Sequence, residues 1–311
     1  MSKCLYCYNK LEAGEKDFHL ACSKKFFGSQ TPTLVDLDMK RIKELAVEAL
    51  GKSISVPGVQ PKLSLDFKKE KGKENRLTIV GLWGRFILKP PFEDYPEMPE
   101  LEDLTMHMSE LLNINTAKHS LIKLKSGEIA YISKRFDRTK NDKLHVEDLA
   151  QLTETLTENK YRGSMERIGK IILKFSSYPG IDAIRFFELA LFSFITGNSD
   201  MHLKNFSFIR NEDDEIMLSP AYDLLSTKLL IPKDKEDLAL PLNGKKSNFR
   251  KKDFDSFASQ LGINETALRK IYERFGDSFF EMNKLINKSF LSKEMNEKYL
   301  VLLDERRNVI W

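Results

Sequence analysis

Gly197-Asn198-Ser199-Asp200-Met201-His202-Leu203-Lys204-Asn205 is the stretch from which the rest of this chain is read. It follows a long apolar run, Ile184 to Thr196, which reads as a buried helix. It precedes a short apolar strand, Phe206 to Ile209. A polar turn, Asn211 to Glu215, then leads to a second short strand and to Tyr222-Asp223. This order can bring a carboxylate (Asp200), a carboxamide five residues on (Asn205) and a second carboxylate beyond a hairpin (Asp223) to one point. Such a set suits phosphoryl transfer, which needs one group to orient a hydroxyl and hard oxygen ligands for Mg²⁺. Asx residues also cap turns. The reading therefore leans on Asp223 and on what lies upstream.

With 311 residues the chain is long enough for two lobes, each with a real core. A hydrophobic share of 41% with 31% charged residues places it among ordinary globular proteins. No apolar run approaches the ~20 residues of a membrane span. The N-terminus lacks the basic-then-apolar pattern of a secretory signal. A cytoplasmic protein is expected. The net charge of +4 gathers in two runs, Lys68, Lys69, Lys71 and Lys73, then Lys245, Lys246, Arg250, Lys251 and Lys252. These read as solvated surface, since no base-reading motif accompanies them.

The three cysteines all fall within the first 22 residues, and an odd number fits a disulfide framework poorly. Cys4-x2-Cys7, eleven residues, then His19-x2-Cys22 has the spacing of a closed tetrahedral Zn²⁺ site. Such a site would fold a segment too small for its own core, and would be structural because four protein ligands leave no open position. Residues 1–29 therefore read as a zinc knuckle.

Residues 30–135 read as a strand-rich first lobe. Asp36 or Asp38 can cap a helix through Leu50. Next comes Ser53-Ile54-Ser55-Val56-Pro57-Gly58-Val59-Gln60-Pro61-Lys62, a shaped loop whose backbone N–H groups could approach phosphates. Strands are expected at Lys62 to Phe67, Arg76 to Val80 and Arg85 to Leu88. Lys89, at the end of the last, stands where a nucleotide phosphate contact would sit, and Glu102 on a helix opened by Pro99 could pair with it. A hairpin turning at Ser126-Gly127 follows, and Lys134-Arg135-Phe136-Asp137-Arg138 leaves the sheet. Residues 136–311 read as a mainly helical second lobe, with helices at Val146 to Leu156, Ser164 to Phe175, Ile181 to Thr196, Lys252 to Leu261, Glu265 to Lys288 and Lys293 to Glu305. The expected fold class is α+β, a bilobal protein-kinase-like arrangement with a nucleotide cleft between the lobes.

Taken in order, these motifs resemble the HipA-type serine/threonine kinases, the toxin components of bacterial toxin–antitoxin modules. The likeness runs from about Leu50 to Leu261. It is carried by residues 53 to 62, by Ile87-Leu88-Lys89-Pro90-Pro91, by Lys134 to Arg138 and by Glu147-Asp148-Leu149-Ala150-Gln151. Gly197 to Asn205, Pro220-Ala221-Tyr222-Asp223 and Asn243-Gly244-Lys245 complete it. The resemblance implies an ATP- and Mg²⁺-dependent protein kinase with Asp200 as catalytic base and Asn205 and Asp223 on the metal. It implies Lys89 on the ATP phosphates and the backbone of Lys134, Arg135 and Phe136 on adenine. Pro57, Gly58, Val59, Gln60, Pro61, Lys62, His202, Lys204 and Tyr222 would line the nucleotide.

By the same resemblance Ser55, with Ser53 as second candidate, is the expected autophosphorylation site. The family departs from this chain at Pro57 and Pro61, which stiffen the loop where the usual motif has Ala and Glu. Only about 50 residues precede the loop, as in shortened toxins whose N-terminal subdomain is a separate protein. The implied partners are a HipB-like DNA-binding antitoxin, a small HipS-like protein, and a protein substrate such as an aminoacyl-tRNA synthetase, with DNA reached only through the antitoxin. The alternatives are a kinase-fold regulatory module that holds an antitoxin–operator complex, or a small-molecule or lipid kinase.

Overall fold

A computed structural model describes residues 2–30, 34–35, 37–42, 44, 61–68, 76–80, 83–139 and 142–311. The fold is α+β, and the chain divides into two units. One comprises Met1–Asp103, Ala117–Arg135 and Lys288–Phe290. The other comprises Leu104–Thr116, Phe136–Asn287 and Leu291–Trp311. Among the described residues no helix is long and apolar enough to cross a membrane.

The first unit is built on a six-stranded sheet of β1 (Leu34–Val35), β2 (Leu63–Lys68), β3 (Arg76–Ile79), β4 (Phe86–Lys89), β5 (His119–Lys123) and β6 (Ile129–Lys134). Their order is β1-β3-β2-β4-β6-β5. The strands pair antiparallel except β1 with β3, which are parallel. Strand alternation places Leu65, Leu77, Phe86, Leu88, Leu121 and Ile132 in the core. The register sets Leu88 opposite Ile132 and Lys89 opposite Tyr131. Helix α1 (Leu20–Phe27) lays Phe26 and Phe27 on Phe86, with ring centroids 5.9 and 6.2 Å away. It stops at Gly28, whose φ of 80° is the left-handed cap that glycine takes without strain. Of the two proposed caps near residue 38, Asp38 accepts from the Arg41 N–H at 2.8 Å, and residues 39–42 are helical.

Helix α2 (Met98–Leu111) carries Glu102 and Asp103. Glu100, in its first turn, is pushed up to about 7 by burial, with Glu97 and Asp103 adding to the rise.

The second unit carries a three-stranded antiparallel sheet of β7 (His145–Asp148), β8 (Ser207–Arg210) and β9 (Ile216–Leu218). The sequence expectation of one helix from Val146 to Leu156 is corrected here. Residues 145–148 are a strand paired with β8, and the helix α3 is only Leu149–Leu152. A capping box explains the switch. Asp148 accepts from the Gln151 N–H at 2.8 Å, and Gln151 accepts from the Asp148 N–H at 3.0 Å. The remaining helices are α4 (Met165–Phe175), α5 (Pro179–Thr196), α6 (Thr227–Leu230), α7 (Lys251–Gln260), α8 (Glu265–Lys288) and α9 (Lys293–Ile310).

Helix α5 is apolar nearly all round, so it must be enclosed rather than laid on a surface. Phe186 and Phe194 meet Phe257 and Phe254 of α7 at 5.7 and 5.2 Å. Its first turn holds the fully buried Asp182, whose carboxylate accepts from the Leu218 N–H and the Ser176 hydroxyl, both at 2.7 Å. The helix therefore fixes β9 at one end and delivers Gly197 at the other.

The basic run beyond it is neutralised locally. Lys245 pairs with Asp253 at 2.7 Å, Lys246 with Glu236 at 3.1 Å and Lys251 with Asp255 at 3.0 Å.

Glu100 generates a pH prediction. Its folded value lies above the ordinary 4.5, so its contribution is fully present below 4.5 and is lost as pH rises through about 7. Glu100→Gln should flatten the fall in stability between pH 5 and 8 and leave the variant more stable than wild type at pH 8, as read from urea midpoints.

Candidate active site

Gly197 ends α5 at φ 69°, and a β-carbon there would lie 2.8 Å from Leu302 Cδ2 and 3.0 Å from Lys228 Cβ. Only glycine turns the chain this sharply in so little space. The loop that follows is tied to its own backbone. The Asp200 N–H donates to Asn198 Oδ1 at 3.2 Å, and the His202 N–H donates to the Asp200 carbonyl at 2.8 Å. The Asn205 carboxamide donates to that same Asp200 carbonyl at 3.0 Å. This bond spends the amide N–H and leaves Asn205 Oδ1 as an oxygen donor. Ser199 is anchored to the Thr227 and Asp234 side chains at 2.9 and 2.7 Å.

The second carboxylate arrives from beyond the β8–β9 hairpin. The Tyr222 hydroxyl donates to the Lys204 carbonyl at 2.8 Å and bonds the Ser207 hydroxyl at 2.6 Å. That places Asp223 beside the loop, in a left-handed backbone with φ 59° that Asx residues tolerate at a modest cost. The imidazole of buried His202 senses both carboxylates. Burial lowers its pKa, while Asp200 and Asp223 each pull it upward. Asp200 and Asp223 thus both lie within electrostatic reach of His202, Asn205 is bonded to the Asp200 carbonyl, and Lys204 is half-buried. Two hard carboxylates and a carboxamide oxygen form a donor set that fits Mg²⁺.

Tyr161 is the residue that the sequence reading missed. Its hydroxyl donates to Asp200 Oδ1, and its ring meets His202 edge-on at 5.2 Å. It lies in an irregular segment 39 residues upstream of Asp200, and no local pattern points to it.

In the first unit, Lys89 is buried and its Nζ lies 2.6 Å from Glu102 Oε1. Tyr131 stands beneath the ammonium at 5.4 Å. The pairing that the sequence allowed between strand lysine and helix glutamate is present, and Glu102 is buried rather than on the surface. Lys134 ends β6, and the Arg135 N–H donates to the Arg85 carbonyl at 2.9 Å. Phe136 belongs to the second unit, where its ring stands 5.6 Å from Tyr222. Pro61 is half-buried and Lys62 exposed just before β2. Ser53, Ser55, Pro57, Gly58, Val59 and Gln60 lie outside the described residues. Cys4, Cys7, His19 and Cys22 do come together, their ligand atoms lying within 4.8 Å of one another.

With this geometry in hand, the chain can be set beside known proteins. The model of the HipA-like C-terminal domain matches residues 54–282, well over half of its length. The chain belongs to this family. A Sinorhizobium fredii protein named "Putative kinase Y4dM" is 34% identical over 202 residues, covering 61% of this chain and 48% of Y4dM. A Haemophilus influenzae relative with a similar name is 27% identical over 266 residues, 76% of each chain. The serine/threonine-protein kinase toxin HipA of Shewanella oneidensis is 28% identical over 197 residues, 57% of this chain and 44% of the toxin. The matches therefore span about half the length of Y4dM and of that toxin.

Among solved structures, a chain from the Shewanella oneidensis HipA, HipB and operator DNA complex superposes with a TM-score of 0.67 at 20% identity, over 85% of this chain and 70% of that one. The Helicobacter pylori proinflammatory kinase CtkA gives 0.54 at 18%, over 72% and 87%. At these identities the likeness is one of fold, and the fold is kinase-like.

The buried Lys89–Glu102 pair makes a stability prediction. Lys89→Met removes the buried cation paired with Glu102 and should cost about 3–5 kcal/mol, while Lys89→Met with Glu102→Leu should recover most of that loss. A double-mutant cycle of denaturant midpoints checks it, and additive losses would show that the two groups do not act as a pair.

Proposed function

We propose that this chain is an ATP- and Mg²⁺-dependent protein serine/threonine kinase, the toxin component of a bacterial toxin–antitoxin module. The observation that carries the reading is that Asp200 and Asp223 both act on His202, with Asn205 bonded to the Asp200 carbonyl and Tyr222, beside Asp223, bonded to the Lys204 carbonyl. Membership of the HipA-like family and the kinase names of the relatives support it.

Asp200 is the catalytic base: its carboxylate accepts the hydrogen bond of an acceptor hydroxyl and takes its proton as transfer proceeds. In this structure the Tyr161 hydroxyl donates to that carboxylate. Asn205 and Asp223 hold the metal, and Tyr222 holds Asp223 in place through Lys204. Lys89, kept oriented by Glu102, contributes a fixed positive charge to the phosphates. Mg²⁺–ATP, when bound, supplies the transferable phosphoryl group and neutralises its developing charge. His202, Lys204, Pro61 and Lys62, with residues 57–60, line the nucleotide. The backbone from Lys134 to Phe136 receives adenine.

The acceptor is a protein hydroxyl on a translation factor such as an aminoacyl-tRNA synthetase. Ser55 or Ser53 is the site of self-modification, where a phosphate would add charge that competes with the nucleotide's own. A HipB-like antitoxin and a small HipS-like protein are the proposed partners. The family likeness to a HipA–HipB–operator complex supports the first of these.

Asp200→Asn tests the reading. The variant should keep its melting temperature and its affinity for Mg²⁺–ATP but lose phosphoryl transfer by about 10²-fold or more. The assay is radiolabel transfer from ATP into host-cell lysate, with sites mapped by mass spectrometry. Wild-type levels of transfer by the variant would remove Asp200 from its role.

A further inference from the structure

The Cys4, Cys7, His19 and Cys22 cluster belongs to the first unit, and its geometry is specific. Cys4 and Cys7 sit in one tight turn, closed by bonds from the Tyr8 N–H to the Cys4 carbonyl at 2.9 Å and from the Cys4 N–H to the Asn9 carbonyl at 2.8 Å. His19 precedes α1 in an extended conformation, and Cys22 lies in that helix's first turn. His19 Nδ1 is 3.4 Å from Cys7 Sγ and 3.7 Å from Cys22 Sγ. A tetrahedral ion with Zn–S of about 2.3 Å and Zn–N of about 2.0 Å has sulfur–nitrogen edges of roughly 3.5 Å, the separations observed. His19 Nε2 lies 3.0 Å from the Lys10 carbonyl. Only a ring N–H can satisfy that oxygen, so the proton sits on Nε2 and the lone pair on Nδ1 faces the sulfurs.

What the cluster holds in place is also visible. Leu5 accepts from the Leu121 N–H of β5 at 3.2 Å, and Asp17 pairs with Lys123 at 2.6 Å. Lys3 Nζ donates to the Lys288 carbonyl at 2.9 Å, and the Tyr8 ring meets Phe290 at 5.4 Å. The Tyr8 hydroxyl, fully buried, donates to Asp103 Oδ2 at 2.6 Å. Asp103 follows Glu102, the partner of Lys89, on α2.

We infer that Cys4, Cys7, His19 and Cys22 form a closed structural Zn²⁺ site, and that the ion, by fixing the knuckle, holds Tyr8 against α2 and so positions the Lys89–Glu102 pair. Three thiolates and an imidazole select zinc over the hard cations. With no fifth position the ion is a staple and takes no part in chemistry. The segment before β1 buries Leu5, Tyr8, Leu11, Phe18, Phe26 and Phe27, and the ion would cross-link the turn and the helix that carry them. The part that concerns Lys89 rests on the kinase reading; the metal site does not.

The test uses the full chain. Elemental analysis of purified protein should give about one zinc per chain, and titration with a mercurial should release it as the thiols are consumed. Cys22→Ser and His19→Ala should lose the metal, whereas His19→Cys, which keeps four ligands, should retain it. Hydrogen exchange of wild-type protein before and after release should rise about tenfold or more at residues 2–27 and 98–103, with α7 unchanged. The metal-free protein should show a raised KM for ATP with kcat within about twofold.

Folded wild-type protein without zinc, or full zinc retention by both Cys22→Ser and His19→Ala, would overturn the site. Unchanged exchange at 98–103 after release would overturn the coupling to α2. Metal content and exchange are read without ATP, so a wild-type protein that binds zinc but transfers no phosphate would refute the kinase reading alone.

Discussion

A helix that loses its solvent face constrains everything around it, and α5 does so from Phe186 to Thr196, where every residue is buried. Phe186, Phe187 and Phe192 point in different directions around its axis, Phe194 repeats the Phe187 face, and all four are buried. Other elements must therefore close on it from several sides, and α4, α7, α9 and β9 do so. Enclosure leaves the ends of the rod as its only ways out. At the N-terminal end Asp182 spends its buried carboxylate on a β9 N–H and a serine hydroxyl, as a buried charge must. At the C-terminal end only glycine can make the exit, because the neighbouring side chains leave no room for a β-carbon. The loop bearing Asp200 starts from a point that the core has already fixed.

From there the loop is held by polar bonds rather than by packing. The Asp200 carbonyl accepts from both the His202 N–H and the Asn205 carboxamide, so Asp200, His202 and Asn205 are tied together through one atom. Tyr222 joins the loop to the Asp223 segment through the Lys204 carbonyl. Preorganisation of this kind is what phosphoryl transfer asks of a protein, since little covalent chemistry falls to the side chains. The first unit applies the same logic to a single charge. Lys89 would not remain ionised in an apolar sheet without a partner, and Glu102 from α2 supplies one.

Much of this was legible in the chain itself. The helices at 165–175, 179–196, 251–260, 265–288 and 293–310, and the strands from 63 to 134, follow from apolar period and from turn residues such as Ser126-Gly127. These signals are local, and local signals survive in a sequence. The spacing of Asp200, Asn205 and Asp223, and of Cys4, Cys7, His19 and Cys22, is also local enough to read.

What the sequence misjudged or left silent depended on partners distant along the chain. Val146–Asp148 looked helical because its pairing strand, β8, lies some 60 residues away. Tyr161 reaches Asp200, Tyr8 reaches Asp103, and Lys3 reaches Lys288 across 39, 95 and 285 positions, so no window of sequence contains both ends. The sequence by itself determined which residue types could hold a metal, carry a charge or turn the chain. Tertiary structure alone decided which of them meet, because burial chooses partners by proximity in space and buried polar groups must find one.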